Sequence, residues 1–464
     1  MKIQKNILYG LLATLVLASC NDFLDIKPYG KTIPRTAEEF SALVHKMLKG
    51  VDEGTTEERY IIGTVSESSH YEQVADNMEV NLTEYPGGQM LSTYMGDVVT
   101  SAMGSPYSLL YENIRNCNIV LDEFTDGSDT PEGRDLVGTA YALRGICYYQ
   151  LLRRFCPPAG SGDEMLGVPL VTTFDMEARP VRSTFDATVA QAESDLRKAI
   201  SFHISDEMFR INDDVLTGFL ARLYFWVGRY AEARAEARLL MAKYPLLSGG
   251  DYETMMREQY GLHGNMLIKG NLLRSSTSDV SGNYNSIAYR PLSVRFVSLF
   301  AEGDRDIRYR LFVGRKRKTA KTIFACMRAA EMYLIAMESS YHLGETEEAL
   351  RLLNDFRRHR IEGVEDYTSE TLPAIRDDEY IRTDAMGRPL TPLLYAILCE
   401  RRKELYMEGD RIFELKRNGR PEFWVTRNGL KYYTRRFMYT FPLPAKDIML
   451  QPALQQNPGY EETY

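Results

Sequence analysis

The feature that most constrains this chain is a spaced set of small and aromatic residues between positions 215 and 245. Ala221, Tyr224, Gly228, Tyr230, Ala233, Ala237 and Pro245 stand at the spacings of a tetratricopeptide unit. Small residues let two antiparallel helices approach closely, and Gly228 permits the turn between them. A second copy runs from Met327 to Arg360, with Gly344 at its turn and Ala349 at the same offset from it as Ala233 from Gly228. One such helix pair cannot bury its apolar face alone, so the fold expected is mainly α, made of tetratricopeptide-like helix pairs. The copies lie about 115 residues apart, which predicts an interrupted set of pairs rather than a continuous solenoid.

Helical periods recur outside the two copies. Thr36-Ala37-Glu38-Glu39 has the form of a capping box, followed by Phe40, Leu43, Val44, Met47 and Leu48 before a stop at Gly50. Helices are expected near 107–124 (Leu110, Ile114, Cys117, Leu121, Phe124) and near 135–155 (Leu136, Ala140, Leu143, Cys147, Leu151), the second ending before Pro157-Pro158. Ser183-Thr184-Phe185-Asp186 caps another, with Val189, Ala192, Leu196 and Ile200 on one face. Residues 51–106 and 246–320 are rich in Gly, Ser, Asn and Tyr and read as long insertions of loop and short strand, with Ser293 to Val297 as one strand. Long irregular segments on a helical scaffold are where binding tends to sit.

The N-terminus predicts the compartment. Lys2 and Lys5 precede an apolar stretch from Ile7 to Leu17 that is too short to span a bilayer, and Leu17-Ala18-Ser19-Cys20 follows. This order resembles a bacterial lipoprotein signal. Residues 1–19 are expected to be a signal peptide, Cys20 the lipidated residue, and 20–35 a tether. Beyond it a helical region over 36–250 and a C-terminal region over 251–464 are expected. Several acyl chains anchor stably where one does not, since each buried CH₂ contributes about 0.8 kcal/mol.

Charge and chemistry narrow the function classes. A formal charge of −8 gives no electrostatic footprint for nucleic acid. The one basic run, Arg315-Lys316-Arg317-Lys318, reads as a solvated loop or hairpin tip. Cys117, Cys147, Cys156, Cys326 and Cys399 show no CxxC spacing, and the six histidines form no HxxxH or HExxH pair, so neither a metal nor a cofactor is expected. Glu404 and Glu408 fall on one helix face, but the neighbouring Arg401, Arg402, Lys403 and Arg411 point to a structural ion network rather than an acid/base pair. No Gly-x-Ser-x-Gly elbow or Gly-x-Gly-x-x-Gly loop occurs, and Gly30-Lys31-Thr32 belongs to the tether.

Several blocks, in order along the chain, resemble the SusD/RagB group of outer-membrane lipoproteins from Bacteroidetes. They are Asp22-Phe23-Leu24-Asp25 with Pro28; Ala142-Leu143-Arg144 through Arg153-Arg154-Phe155 and Gly167-Val168-Pro169-Leu170; Met327-Arg328-Ala329-Ala330-Glu331; Glu400 to Leu405 with Glu408-Gly409-Asp410-Arg411; and Phe441-Pro442-Leu443-Pro444 to Gln456-Asn457-Pro458-Gly459-Tyr460. Cys156 stands where the group usually has Gly, and Gln451-Pro452 where it usually has Asn-Pro. The resemblance implies a SusD-like α-α superhelix with a loop-built ligand face, lipid-anchored to the outer membrane and facing the cell exterior. It also implies a partner, a SusC-like TonB-dependent transporter, to which a captured nutrient is handed.

A glycan is the expected ligand. Sugar rings need flat apolar faces for their C–H surfaces, with amides and charged groups for their hydroxyls. Tyr is abundant at 30 and Trp scarce at 2, so tyrosines are expected to do the work. Tyr71 with Asp76 and Asn77, Tyr94, and Tyr284 with Asn283, Tyr289 and Arg290 offer that mixture on the two insertions. Trp226 reads as core by its place in the repeat, while Trp424 is open to either reading. The alternatives are a RagB-like oligopeptide binder and a tetratricopeptide adaptor that docks proteins without a nutrient; an enzyme comes third.

Overall fold

A computed structural model describes residues 34–53, 59–82, 94–101, 104–162, 165–175, 177–205, 210–270, 284, 287, 290–427 and 429–461. Cys20, Asn283 and Tyr289 lie outside these residues. Helix α1 (Ala37–Glu53) starts on the expected capping box, Glu39 N donating to Thr36 Oγ1 at 3.3 Å and Thr36 N to the Glu39 carboxylate at 3.3 Å. It does not stop at Gly50. Val51 continues the buried stripe of Val44, Met47 and Leu48 by one more turn, and that packing carries the helix through the glycine.

Next come α2 (Val65–Val74), α3 (Met95–Ser101), α4 (Gly104–Glu123) and α5 (Pro131–Phe155). Thr130 caps α5 and Pro131 fills its first turn, where a missing N–H costs nothing. Helix α6 (Phe185–Ile200) is capped by Thr184, whose hydroxyl accepts from Ala187 N at 3.1 Å. The first repeat copy is α7 (Asp213–Trp226) and α8 (Tyr230–Lys243), turned at Gly228 with φ +78°. The insertion that follows carries α9 (Gly249–Arg257), α10 (Val294–Val297) and α11 (Ile307–Phe312). The second copy is α12 (Ala329–His342) and α13 (Thr346–Arg358), turned at Gly344 with φ +81°. Ala233, Ala237 and Ala349 are fully buried at the helix contacts.

The interruption exists in sequence but not in space. Helix α8 packs directly on α12, so α4 to α8, α12 and α13 form one layered stack, against which α14 (Pro392–Glu404) is laid. Its apolar core runs from Phe40 to Tyr460 and draws on both the 36–250 and the 251–464 regions.

The insertions are not loops around a finished scaffold. Residues from both build a second core with Val65, Met78, Tyr252, Met256, Phe296, Phe312 and Phe324, closed by Tyr406 and Met407 from the C-terminal region. Ser293 to Val297 is not a strand: Ser293 Oγ accepts from Phe296 N at 3.1 Å and caps α10, which buries Phe296 alone. Arg315 to Lys318 is an exposed tip between the bridged residues Val313 and Thr319, as expected.

The strands are short. Strands β2 (Leu166–Pro169) with β3 (Arg182–Thr184), and β4 (Met266–Lys269) with β5 (Cys326–Arg328), form antiparallel pairs. The largest sheet has three strands: β1 (Asn81–Leu82) runs parallel to β6 (Phe423–Arg427), which is antiparallel to β7 (Leu430–Thr434). Helices α15 (Arg411–Arg417) and α16 (Ala445–Leu450) flank it in sequence.

Candidate functional site

The C-terminal signature is the hub of a buried ion layer. Arg328 Nη1 donates to Glu404 Oε1 at 2.6 Å and its Nε to Glu408 Oε2 at 3.1 Å; Arg360 Nε donates to Glu404 Oε2 at 2.8 Å, and Lys321 Nζ to Glu408 Oε1 at 2.6 Å. Burial alone would raise both carboxyls, but Arg360 and Arg328 hold Glu404 well below its usual range, and Arg328 and Lys321 lower Glu408. An acid/base pair needs its two carboxyls pushed apart, and these are pulled down together. They are a structural network, as expected, although the cations that touch them are Arg308 of α11, Lys321, Arg328 of β5 and Arg360 just past α13 rather than Arg401, Arg402 and Lys403.

Four of the sequence-predicted ligand residues belong to this interior. Asp76 accepts from Arg411 Nε at 2.7 Å and Nη2 at 2.9 Å and pairs with Arg402 at 3.1 Å; Asn77 Oδ1 accepts from Arg402 Nε at 2.7 Å. Tyr71 is only 3% exposed, donates to Glu67 Oε1 at 2.6 Å, and packs its ring against Phe413 and Phe441. Arg290 is buried, its Nε donating to the Glu79 carbonyl at 2.9 Å. Side chains with their polar atoms spent inside the protein present nothing to a ligand, so Tyr71, Asp76, Asn77 and Arg290 are scaffold. Tyr284 is half-buried and donates to the Thr319 carbonyl at 3.0 Å.

The insertions nevertheless converge. Glu79 N donates to the Pro291 carbonyl at 2.8 Å, and two residues on β1 pairs with β6. The β6–β7 hairpin therefore stands where both insertions meet. Strand alternation sorts its side chains into two faces. Phe423, Val425 and Thr434 point inward and are buried, and Phe423 stacks on Tyr380 at 4.8 Å. Arg295 lies over the far side of that chain of contacts, 3.7 Å from the Tyr380 centroid, and reaches Asp76 at 3.7 Å. The ion layer thus supports the hairpin from beneath.

The outward face is aromatic. Trp424 and Tyr433 are direct cross-strand partners, 40% and 43% exposed. Directly opposed residues of an antiparallel pair have their Cβ atoms about 5 Å apart, so the two rings form one platform. Lys431 Nζ lies 4.4 Å from the Trp424 centroid and the Arg435 guanidinium 4.8 Å from that of Tyr433. On the opposite face, Tyr432 stands across from the inward Val425 and packs on Tyr94 with centroids 5.0 Å apart; Tyr94 is half-buried, and burial and the neighbouring Asp97 push its hydroxyl up from its ordinary value. Of the predicted set, none of the described residues joins the outward platform, which Trp424 and Tyr433 carry.

A second opening, an open groove of about 630 Å³, is lined by Tyr107, Tyr111, Glu112, Arg115, Asp447 and Leu450. Its chemistry is already committed. Tyr107 is packed in the core, Tyr111 donates to the Pro169 carbonyl at 2.7 Å, and Arg115 pairs with Glu112 at 3.0 Å. Among the described residues no group of His, Cys, Asp and Glu could hold a metal ion, and no helix is long and apolar enough to cross a membrane.

A helical stack that carries an aromatic-faced hairpin defines a tetratricopeptide-like fold. The chain belongs to the SusD family: a profile described as the SusD family matches residues 221–460, and one described as starch-binding, associating with the outer membrane, matches residues 22–225. Solved structures agree in fold. A SusD superfamily protein from Bacteroides thetaiotaomicron is similar at 20% identity over 91% of this chain and all of its own, with a TM-score of 0.69. A putative sugar binding protein from Bacteroides vulgatus gives 22%, 93%, 100% and 0.68, and a laminarin binding SusD-like protein 17%, 92%, 100% and 0.60. No curated protein matches the chain.

Proposed function

We propose that this protein captures a glycan at the cell surface, on the Trp424–Tyr433 platform, and passes it to a SusC-like TonB-dependent transporter in the outer membrane. The observation that carries the reading is the exposed cross-strand aromatic pair, held rigid on one side by a packed sheet face and open on the other. Rigid rings give stacking area at low entropic cost, and the adjoining Lys431 and Arg435 supply polar contacts. Cys20 is the lipid anchor in this reading, residues 20–35 are the tether, and the protein binds its ligand without transforming it. Tyr284, with Asn283 and Tyr289 beside it in sequence, lies on the insertion that adjoins the hairpin and is a further candidate contact. The names of the sugar-binding and laminarin-binding relatives favour a glycan over an oligopeptide.

The test is a glycan and peptide array probed with the full-length protein in mild detergent, alongside a pulldown from native membranes. Binding to oligosaccharides, with a large barrel recovered beside the protein, is the expected result. Capture of peptides alone would favour the RagB-like reading. Recovery of soluble protein partners with neither glycan nor barrel would favour an adaptor, a class that the spatially continuous stack makes room for.

A further inference from the structure

Many of this protein's cations meet carboxylates. On the exposed faces of the stack Arg234 pairs with Glu345, Arg238 with Glu348, Arg257 with Glu253 and Arg351 with Glu348. Inside, the guanidinium groups of Arg308, Arg328, Arg360, Arg402 and Arg411 all meet carboxylates.

Those of the hairpin do not. Arg420, Lys431, Arg435 and Arg436 stand within seventeen residues of each other and form no ion pair among the described residues, in a chain of net charge −8. The Arg436 guanidinium donates to the Gly419 carbonyl at 3.3 Å, and Glu422 accepts only from the Arg436 backbone amide, at 3.1 Å. Burial and the neighbouring Arg436 push the Arg420 guanidinium below its ordinary value, as expected for two cations that face one another without an anion between them. Two of the four lie over the platform rings themselves.

We infer that the platform takes an anionic glycan, one whose rings carry carboxylate or sulfate groups. The inference rests on the hairpin being the glycan site. The physical logic is an exchange. In the free protein the Lys431 ammonium and the Arg435 guanidinium rest on the Trp424 and Tyr433 rings, in exposed cation–π contacts that are weaker than charge-assisted hydrogen bonds. An anionic substituent draws both cations off the rings into such bonds, which uncovers the aromatic faces for the sugar that carries it. A neutral sugar must displace the same cations and offers them only hydroxyl acceptors, which make weaker hydrogen bonds than an anion. Lys431 can make the move because its charge sits on a flexible four-carbon stem, and Arg435 can meet a carboxylate or sulfate with two parallel N–H groups.

The test is an array of neutral, uronate-bearing and sulfated oligosaccharides, probed with the full-length protein in mild detergent and followed by titration of the best binders. Acidic glycans are expected to dominate, with binding that weakens as sodium chloride is raised. The double variant Lys431→Gln/Arg435→Gln is expected to weaken acidic-glycan binding about tenfold or more with an unchanged melting temperature. The uronate and sulfate arms decide which anion is read. Neutral-only binding that still needs Trp424 would overturn the inference and leave the site standing. Native-level glycan binding by Trp424→Ala would overturn the site itself. An oligoglutamate peptide that competes as well as the acidic sugars would overturn the glycan assignment in favour of an acidic peptide.

Discussion

The helix stack and the ion-laced half of this molecule solve the same problem with different chemistry. In the stack, α7, α8, α12 and α13 close on Ala233, Ala237 and Ala349, with Leu353 and Phe356 wholly buried between apolar neighbours. Stability there follows from volume filled at close packing. In the other half, Asp76 and Glu404 are as deeply buried, but their neighbours are guanidinium groups, and the contacts depend on partners elsewhere in the chain. The stack tolerates change by repacking. The ion layer does not, because removal of one partner leaves a charge in a dry interior. The hairpin that carries the aromatic platform rests on that second half, through Arg295, Tyr380 and Phe423.

The sharpest way to break the contrast is Arg328→Ala. Arg328 serves both Glu404 and Glu408, so its loss is expected to destabilise the fold by about 3–5 kcal/mol in urea or thermal unfolding. A loss under about 1 kcal/mol would mean that the layer is not the support described here. Leu353→Ala in the stack is expected to cost about 3 kcal/mol through the cavity it leaves, and that cost is expected to stay constant with pH.

The pH dependence follows from the carboxyls. Burial would raise Glu338, but Arg417 and His342 lower it to about 2, from an ordinary 4.5, so its contribution is complete above about 4.5 and is lost as pH falls toward about 2. Glu404 and Glu408 are lowered too and act in the same direction. Glu72 and Glu414 are raised by burial to about 7, so their contributions are complete below about 4.5 and fade as pH rises through about 7. Unfolding followed across pH is expected to show a steep acid loss, a gentler decline toward neutrality, and an Arg328→Ala penalty that shrinks in acid as Glu404 and Glu408 take up protons. A penalty constant with pH would show that Arg328 acts by packing alone. The smallest effect expected is Gly344→Ala, about 1 kcal/mol, because φ is +81° but no atom crowds the added methyl.

What could be read from the sequence divides along the same line. Helix α5 with Thr130 and Pro131, α6 with Thr184, and both repeat pairs are legible because a cap, a period of 3.6 and a glycine turn are local signals. The partners of Asp76 are not, since Arg411 lies 335 residues away. Without those partners the polar run Glu67-Ser68-Ser69-His70-Tyr71-Glu72-Gln73 looks like an exposed loop, when it is a helix buried on most sides. The hairpin did carry a local signal, Asn428-Gly429 between the aromatic pairs Phe423-Trp424 and Tyr432-Tyr433, a dipeptide that marks a two-residue turn and places Trp424 opposite Tyr433. Tyrosine abundance is a poor guide to the site, because Tyr71, Tyr148, Tyr224 and Tyr252 are core.

The central claim is that the platform binds while the ion layer and its tyrosine only support it, and one paired measurement tests it. Glycan affinity and melting temperature are compared for Trp424→Ala and Tyr71→Ala in the full-length protein, using whichever oligosaccharide the native protein holds on the array. Trp424→Ala is expected to weaken binding tenfold or more, about 1.4 kcal/mol, and to leave the melting temperature unchanged. Tyr71→Ala is expected to lower the melting temperature through a cavity and the loss of one hydrogen bond to Glu67, with native affinity in the fraction that remains folded. The reverse pattern, a stable Tyr71→Ala that no longer binds beside a Trp424→Ala that binds normally, would contradict the claim.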